Sequence, residues 1–363
     1  MKKSIAFILA LAMTAGLTAC GGSNSGTTST ESSAASSEAA DTSSADNRGS
    51  ATDTSNAEYT IKVGHTLQEN TPSHEGFVKF KEEVEKNSNG RIAVEIYPNS
   101  ALGSERVMYE ACQMGTLEVA YGTSSVLANF DSKLKVLDLP FLFENEDAAR
   151  KAVNGKLGDA AAEGLEDIGL VKLTYLENGM RMITNSARPI NTPDDLKGLK
   201  IRTMENDIHM KAFELLGASP TPMAFTELFT ALQQKTVDAQ ENPIFLIQTS
   251  RFDEVQKYLS LTGHLYTSGV VTINKQFYDS LPEDLQKVLM DAADVAREYQ
   301  YELCDKQNAE ALEYLKTKME VNEITPENRK LFVEKTAPVY DQVASEVGQD
   351  LVDIAKDAQA GNY

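Results

Sequence analysis

The sequence predicts an α/β fold of two lobes with one long helix, and three observations support this class. A globular part of about 300 residues follows a polar N-terminal region, which is long enough for two lobes with separate cores. Residues 59–97 show the order strand, helix, strand, which builds a parallel α/β unit. A helical pattern from Pro282 to about Lys318 covers on the order of 35 residues, or roughly 50 Å.

The N-terminus has the pattern of an export signal. Lys2 and Lys3 precede an apolar run at 5–17, and L-T-A-C follows at 17–20. The apolar run is too short to span a bilayer comfortably. A plain secretory signal that happens to contain a cysteine is one interpretation. We favour a lipoprotein signal peptide at 1–19, with lipid attached to Cys20.

Residues 20–57 are almost wholly Ser, Thr, Ala, Gly, Asp and Glu, without aromatic or large aliphatic side chains. Such a segment buries too little apolar surface to offset the entropy lost on ordering, so we predict a disordered tether. Its root-mean-square span would be on the order of 30–35 Å, enough for a globular body to sample the space near a membrane partner.

The charge and the motifs exclude several functions. A formal net charge of −20 argues against nucleic acid as a partner and against a polybasic membrane patch. The chain has no G-x-S-x-G, no Walker loop and no G-x-G-x-x-G after a strand, and H-E-G-F-V at 74–78 lacks the second histidine of a zinc helix. We therefore predict no catalytic residue, no metal site and no cofactor. Cys112 and Cys304 fall in separate helical stretches, which favours two buried unpaired thiols over a disulfide.

In the first half, period-two alternation predicts strands at 59–63 and 91–97, and an apolar stripe predicts a helix at 76–86. A helix at 104–114, a strand at 117–121 and a hydroxyl-rich loop at 122–125 follow. The strongly apolar residues 135–143 predict a strand and a bend into a helix from Asp147. A strand at 170–176 then enters the second half.

In the second half, Thr192 to Gly198 has a Thr cap, a Pro, two acids and a Gly stop, which predicts one helical turn. The remaining elements are a strand at 199–202, a helix at 206–216, an extended Pro-rich run at 219–223, a helix at 226–234, a strand at 236–240, a turn at 241–243, strands at 255–262 and 270–274, and one or two helices after Thr325.

Several segments in consistent order carry a family resemblance. They are G-R-I-A-V-E-I-Y-P-N-S-A-L-G at 90–103, L-P-F-L-F at 139–143, N-G-M-R at 178–181, D-L-K-G-L-K-I-R at 195–202, G-A-S-P-T-P-M-A-F-T-E-L-F-T-A-L-Q at 217–233 and Q-E-N-P at 240–243. Together, from about residue 59 to about 293, the chain resembles the substrate-binding subunits of TRAP transporters, the DctP-type solute receptors.

The resemblance implies a two-lobe, periplasmic-binding-protein-like fold with a ligand cleft between the lobes and the long helix across both. Lobe I would comprise 58–178 and 268–307, and lobe II 179–267 and 308–363 with the C-terminal helices. The implied function is a receptor outside the cytoplasm that hands a carboxylate to an ion-driven membrane permease and performs no chemistry.

Arg202 and Arg181 are the main candidate ligand-binding residues. An arginine at the carboxyl end of a strand in an open α/β sheet points into the crevice where such sheets bind ligands. Its guanidinium donates two parallel hydrogen bonds to a carboxylate and keeps its charge. The alternative for either residue is a solvated side chain or a structural ion pair.

The resemblance places further side chains at the cleft: His65, Thr123, Ser124, Asn178, Phe225 and Asn242. Thr123 and Ser124 would donate to a ligand oxygen, although they are equally suited to cap the next turn. Phe225 would pack on the ligand's carbon skeleton, and core packing is the alternative. Asn242 offers a donor and an acceptor, and its alternative is a residue chosen for the turn before Pro243.

Glu205 bears on the ligand. Its carboxylate would repel a second carboxylate but accept hydrogen bonds from hydroxyls, which favours a sugar acid such as a hexuronate over a C4-dicarboxylate. It is equally well read as an exposed acid at a helix N-terminus. Competing functions are an exported lipoprotein enzyme acting on acidic sugars and a surface adhesin. The receptor of an ATP-driven importer is disfavoured by the resemblance alone.

Overall fold

The computed structural model describes residues 52–363. The predicted signal peptide, the predicted lipid site Cys20 and most of the predicted tether lie outside the described residues. Residues 52–57 form a turn, in which the Ala57 amide donates to the Thr54 carbonyl at 3.0 Å. The end of the predicted tether is therefore ordered.

Nine strands, thirteen α-helices and four 3₁₀ helices make up the described part. The strands are β1 (Tyr59–Gly64), β2 (Ile92–Tyr97), β3 (Val119–Thr123), β4 (Leu170–Asn185), β5 (Lys200–Thr203), β6 (Ser219–Pro222), β7 (Ala239–Pro243), β8 (Tyr258–Asn274) and β9 (Glu320–Glu323). The helices are α1 (Pro72–Asn87), α2 (Glu105–Gln113), α3 (Ser124–Leu127), α4 (Glu146–Val153), α5 (Lys156–Ala162), α6 (Asp207–Leu215), α7 (Phe225–Gln233), α8 (Ile244–Thr249), α9 (Lys275–Ser280), α10 (Glu283–Lys316), α11 (Pro326–Thr336), α12 (Pro338–Val347) and α13 (Gln349–Gln359).

The order and direction of the strands account for the two lobes. The strand order is β2-β1-β3-β8-β4-β7-β5-β6, with β9 paired to β8. In one half β1 lies parallel to β2 and β3, and in the other half β5 lies parallel to β6 and β7. The long antiparallel strands β4 and β8 run through both halves. The predicted two-lobe α/β fold is confirmed, with two continuous strands as the connection.

The predicted long helix is confirmed as α10, which has 34 residues. Leu285 and Leu289 pack in the core beneath β1 and β2, whereas Leu315 belongs to the core formed by α7, α8 and β8. The helix therefore contributes to the cores of both halves, and burial of these leucines holds it along the molecule.

Three element predictions are wrong. Residues 132–138 form a 3₁₀ helix (Ser132–Asp138) and not a strand, because a short, fully buried apolar run has no periodicity that separates the two. The segment 241–243 is the end of β7 and not a turn, since Glu241 and Asn242 pair with β4. The two strands predicted at 255–262 and 270–274 are one strand, β8, whose pairing with β4 absorbs several register shifts.

Other boundaries differ slightly. Helix α1 begins at Pro72 instead of Gly76, because the Thr71 side chain caps it and Pro is favoured in the first turn. Three helices, not one or two, follow Thr325. Cys112 and Cys304 are both buried and free, as predicted. Among the helices of residues 52–363, none combines the length and the hydrophobicity that a bilayer-spanning segment requires.

Candidate functional site

A cavity lies where the two halves of the sheet meet. The space between its lining atoms is about 490 Å³, counted out to its opening. Its walls come from both halves and include Thr66, Glu105, Thr123, Asn178, Arg181, Arg202, Glu205, Phe225 and Asn242. Seven of the nine ligand-binding residues predicted from the sequence therefore line one cavity.

Arg202 is 2 % exposed and projects from β5 into the cavity. Its Nε and Nη2 donate to the Met223 carbonyl at 3.0 and 2.8 Å, which fixes the plane of the guanidinium. Burial, and next the nearby positive charge of Arg181, lower the pKa of Arg202 to about 10, against an attraction to Glu241. The side chain stays charged at neutral pH without a carboxylate bonded to it.

Arg181 is fully buried in β4. Its Nε and Nη2 bind the Glu241 carboxylate, the Nη2 contact being 2.9 Å, and Nη2 also donates to Asn242 Oδ1 at 3.1 Å. Burial raises the pKa of Glu241, but Arg181 and His264 outweigh it and hold that pKa well below its usual range. Arg181 thus has a permanent partner, as the structural-ion-pair alternative required, yet it still faces the cavity.

Each arginine has one guanidinium nitrogen that is not used in a hydrogen bond. Arg181 Nη1 and Arg202 Nη1 are buried and have no hydrogen-bond partner within residues 52–363. Leaving a buried charged donor unsatisfied costs free energy, and an incoming carboxylate would relieve that cost at both groups. Because both guanidinium groups line the same cavity, the arrangement is suited to binding an anion there.

Two asparagines border the arginines. Both polar atoms of the Asn242 side chain already have protein partners, because its Oδ1 accepts from Arg181 and its Nδ2 donates to Gln240 at 2.6 Å. Asn178 is 3 % exposed, lines the cavity and has no side-chain hydrogen bond to another described residue. Its amide therefore offers both a donor and an acceptor to a ligand.

Glu105 is a cavity residue that sequence reasoning missed. It begins α2, and its Oε2 accepts hydrogen bonds from the backbone amide and the hydroxyl of Thr123 at 2.9 and 2.8 Å. Burial raises the pKa of Glu105 against the bonds from Thr123 and the attraction of Arg202. An acid in the first turn of a helix is usually read as a dipole partner. The only signal was its position beside the family-like segment that ends at Gly103.

Glu205 and Phe225 also lie at the cavity, and each has a second contact. Glu205 Oε1 is 3.6 Å from Arg106 Nε, and its side chain is 33 % exposed. Phe225 begins α7 and packs edge-on to Phe252, with the ring centroids 6.3 Å apart. Phe225 thus combines the two roles that the sequence left open, cavity wall and packing.

Two predicted residues, His65 and Ser124, are not among the lining residues. His65 Nε2 lies 3.2 Å from His74 Nδ1, and its ring stacks on Phe77, so the side chain is engaged with α1. Ser124 is fully buried at the start of α3. Thr123, in contrast, both lines the cavity and caps α3 by accepting from the Val126 amide.

A buried acid adjoins the site without lining it. Glu177 is fully buried, one residue before Asn178, at a register shift of β4. Its Oε2 accepts from Arg150 Nε at 2.7 Å, and Gln300 of α10 bonds to its backbone amide and carbonyl. Burial raises the pKa of Glu177 from 4.5 to about 7 despite the ion pair with Arg150.

This shift predicts a pH-dependent stability. The raised pKa means that the folded protein holds the proton of Glu177 more tightly than the unfolded chain does. The resulting contribution to the free energy of unfolding is complete below about pH 4.5 and is lost as the pH rises through about 7. Denaturant unfolding between about pH 5 and pH 8 should show a fall of up to ~3 kcal/mol from this group. Glu177→Gln should flatten that slope, whereas Glu298→Gln, an exposed acid, should keep it. Equal slopes in the two variants would contradict the assignment.

Within residues 52–363, no group of three or more His, Cys, Asp or Glu side chains is placed to hold a metal ion. The cavity offers guanidinium, amide and hydroxyl donors, and its two guanidinium groups make it suited to an anion. Two lobes that enclose such donors form a receptor for a small organic anion.

Comparison with known proteins gives the family. Residues 63–346 match the family model DctP, "Bacterial extracellular solute-binding protein, family 7". The 2,3-diketo-L-gulonate-binding periplasmic protein YiaO of Escherichia coli K12 is 35% identical, and the match covers 84% of this chain and 93% of that protein. The chain belongs to family 7 of the bacterial extracellular solute-binding proteins, which are receptors and not enzymes.

Two solved structures are similar over nearly their whole length. The sugar acid binding protein DctPAm of Advenella mimigardefordensis, in complex with galactonate, has a TM-score of 0.81 at 37% identity, covering 84% of this chain and 98% of that one. A TRAP periplasmic solute-binding protein of Polaromonas sp. JS666, bound to D-erythronate, has a TM-score of 0.79 at 39% identity, covering 82% and 98%.

Proposed function

We propose that this solute-binding protein captures a sugar acid, with a hexuronate or aldonate as the favoured class, and delivers it to the membrane permease of a TRAP transporter. The pair of unpartnered Nη1 donors on Arg181 and Arg202 carries the proposal. A carboxylate bound to both would place the rest of the ligand against Asn178, Phe225 and the acids of the cavity.

The acids favour hydroxyls over a second carboxylate. Glu105 and Glu205 line the same cavity as the arginines, and each carboxylate accepts hydrogen bonds but repels like charge. The Arg106 ion pair offsets part of the charge of Glu205, whereas Thr123 only donates neutral hydrogen bonds to Glu105. The galactonate and D-erythronate bound to similar proteins are also hydroxylated monocarboxylates. A C4-dicarboxylate is the second candidate in the same transporter class.

A thermal-shift panel of hexuronates, aldonates, C4-dicarboxylates and 2-oxo acids tests the ligand class. A ligand that binds only the folded state raises the melting temperature, and at one ligand concentration the rise grows with the logarithm of the affinity. We expect the largest stabilisation from a hexuronate or aldonate. Stabilisation by succinate or malate alone would refute the sugar-acid preference. It would remain compatible with a ligand carboxylate bound by Arg181 and Arg202.

Glu105→Gln should change the ligand preference. The variant removes a negative charge that opposes a second carboxylate and weakens an acceptor for a hydroxyl. Calorimetry should show about tenfold weaker sugar-acid binding, the equivalent of one charge-assisted hydrogen bond, and stronger succinate binding. Glu110→Gln, on the exposed side of α2, is the matched control and should change neither affinity. If Glu105→Gln left the ratio of sugar-acid to succinate affinity unchanged, Glu105 would not be a ligand-binding residue.

We also propose that the mature protein starts at a lipid-modified Cys20 and that residues 20–51 tether the receptor outside the cytoplasm. The L-T-A-C motif and the composition of the following segment support this. Cys20→Ser should abolish incorporation of labelled fatty acid and shift the protein from the membrane to the soluble fraction. Membrane retention of Cys20→Ser would refute the anchor. The proposed lobes are 58–178 with 268–307, and 179–267 with 308–363.

A further inference from the structure

A second cavity lies beside the first. It holds about 1000 Å³ of space, counted out to open solvent. It shares Thr66, Phe225 and Thr226 with the cavity that Arg181 and Arg202 line, which we call the inner cavity. We call the second cavity the outer cavity. Its further lining residues are Gln68, Asn99, Ser100, Phe229, Ser250, Arg251 and Phe252. The two cavities therefore meet at the three residues that they share, and a ligand held by Arg202 and Arg181 would have to pass Phe225 to enter the outer cavity.

The charge of the outer cavity differs from that of the whole protein. The chain carries a formal net charge of −20, yet within residues 52–363 no Asp or Glu lines this cavity, and Arg251 does. Arg251 Nε and Nη2 lie 2.7 and 2.5 Å from Glu254 Oε1, so Glu254 offsets part of the positive charge. The side chain is 70 % exposed, and its Nη1 has no hydrogen bond to another described residue, so Nη1 can donate to a further anion. The outer cavity is therefore suited to an acidic group.

Its other side chains are suited to a sugar ring. Phe225 and Phe229 stand one turn apart on α7, and an aromatic face carries partial negative charge, so it packs on the partly positive C–H groups of a sugar. The side-chain amides of Gln68 and Asn99 have no hydrogen bond to another described residue and face the same space from the other half of the molecule. Amides both donate to and accept from hydroxyls.

The backbone around the outer cavity is unusual. Six non-glycine residues within 52–363 have positive φ, and three of them line this cavity: Asn99 at 56°, Ser100 at 59° and Arg251 at 59°. Such conformations are costly and concentrate at binding sites. They occur in the loop after β2 and just after the end of α8, two segments that both line the outer cavity.

We propose that the outer cavity is a subsite for a second, acidic sugar ring, so that the receptor also takes acidic disaccharides such as two linked uronic acids. The inference rests on the proposed function, because the first ring would be held through its carboxylate by Arg202 and Arg181. The second ring stacks on Phe229, and its carboxylate meets Arg251.

Calorimetry with galacturonate and digalacturonate tests the subsite on the full-length protein and three variants. We expect digalacturonate to bind the parent at least as tightly as galacturonate. Phe229→Ala should weaken digalacturonate about tenfold and Arg251→Ala about threefold, with galacturonate affinity unchanged in both. Phe277→Ala, which removes an equally half-buried phenylalanine on α9, should change neither affinity.

The outcomes separate the two proposals. Galacturonate binding without digalacturonate binding refutes the outer subsite and leaves the proposed function standing. Digalacturonate binding that Phe229→Ala and Arg251→Ala leave unchanged also refutes it. If neither sugar binds, the hexuronate preference and the outer subsite both fall. Circular dichroism melts of each variant establish that losses are not caused by unfolding.

Discussion

Arg202→Ala should weaken ligand binding by about tenfold to well over a hundredfold. The substitution removes the free Nη1 donor and the positive charge beside it, and a charge-assisted hydrogen bond is worth about 1.5–3 kcal/mol. The loss should be large because Arg202 is 2 % exposed, so solvent does not screen its contact with a carboxylate. Isothermal titration with the best ligand of the thermal-shift panel measures it.

Two further variants separate charge from geometry. Arg202→Lys keeps a positive charge but loses the planar fork that Met223 orients, so we expect an intermediate loss. Lys200→Ala, two residues earlier on the exposed side of β5, should bind normally. Normal binding by Arg202→Ala would show that this residue does not hold the carboxylate.

Glu241→Gln should have the largest effect on stability, a loss of about 3–5 kcal/mol in the free energy of unfolding. Arg181 and Glu241 are both fully buried, and the substitution leaves the guanidinium without its negative partner in a site that water does not reach. Urea denaturation without ligand measures the loss. Saturating ligand should restore part of it, since the ligand's carboxylate supplies a replacement charge next to Arg181.

A surface ion pair provides the control. Lys133 and Glu163 are 2.6 Å apart, but the glutamate side chain is 73 % exposed, so Glu163→Gln should leave the free energy of unfolding nearly unchanged. A similarly small change in Glu241→Gln would mean that the buried Arg181–Glu241 pair does not stabilise the fold.

Much of the fold was predictable because its elements carry local signals. The 3.6-residue periodicity of 282–318 predicted α10, and the cap, proline and glycine of 192–198 predicted the 3₁₀ turn at Pro193–Leu196. The wrong predictions concern segments where burial on all sides removes the periodicity, as at 132–138. The continuity of β8 depends on its pairing with β4 across both halves, which no local pattern reveals.

The site was predictable only in part. Family-like segments pointed to Arg181 and Arg202, whose side chains do line one cavity. The permanent pairing of Arg181 with Glu241 was not predictable, because it depends on β4 and β7 lying side by side. Glu105 was missed for a related reason. It reaches the cavity because α2 packs against β3, where its partner Thr123 lies 18 residues later in the sequence.

A crystal structure with a bound sugar acid, galacturonate or galactonate, tests the central claim most directly. We predict one carboxylate within hydrogen-bond distance of Nη1 of both Arg181 and Arg202, with the ligand's hydroxyls toward Glu105 and Asn178. A ligand whose carboxylate lies elsewhere, with both Nη1 atoms facing water or protein, would contradict the account.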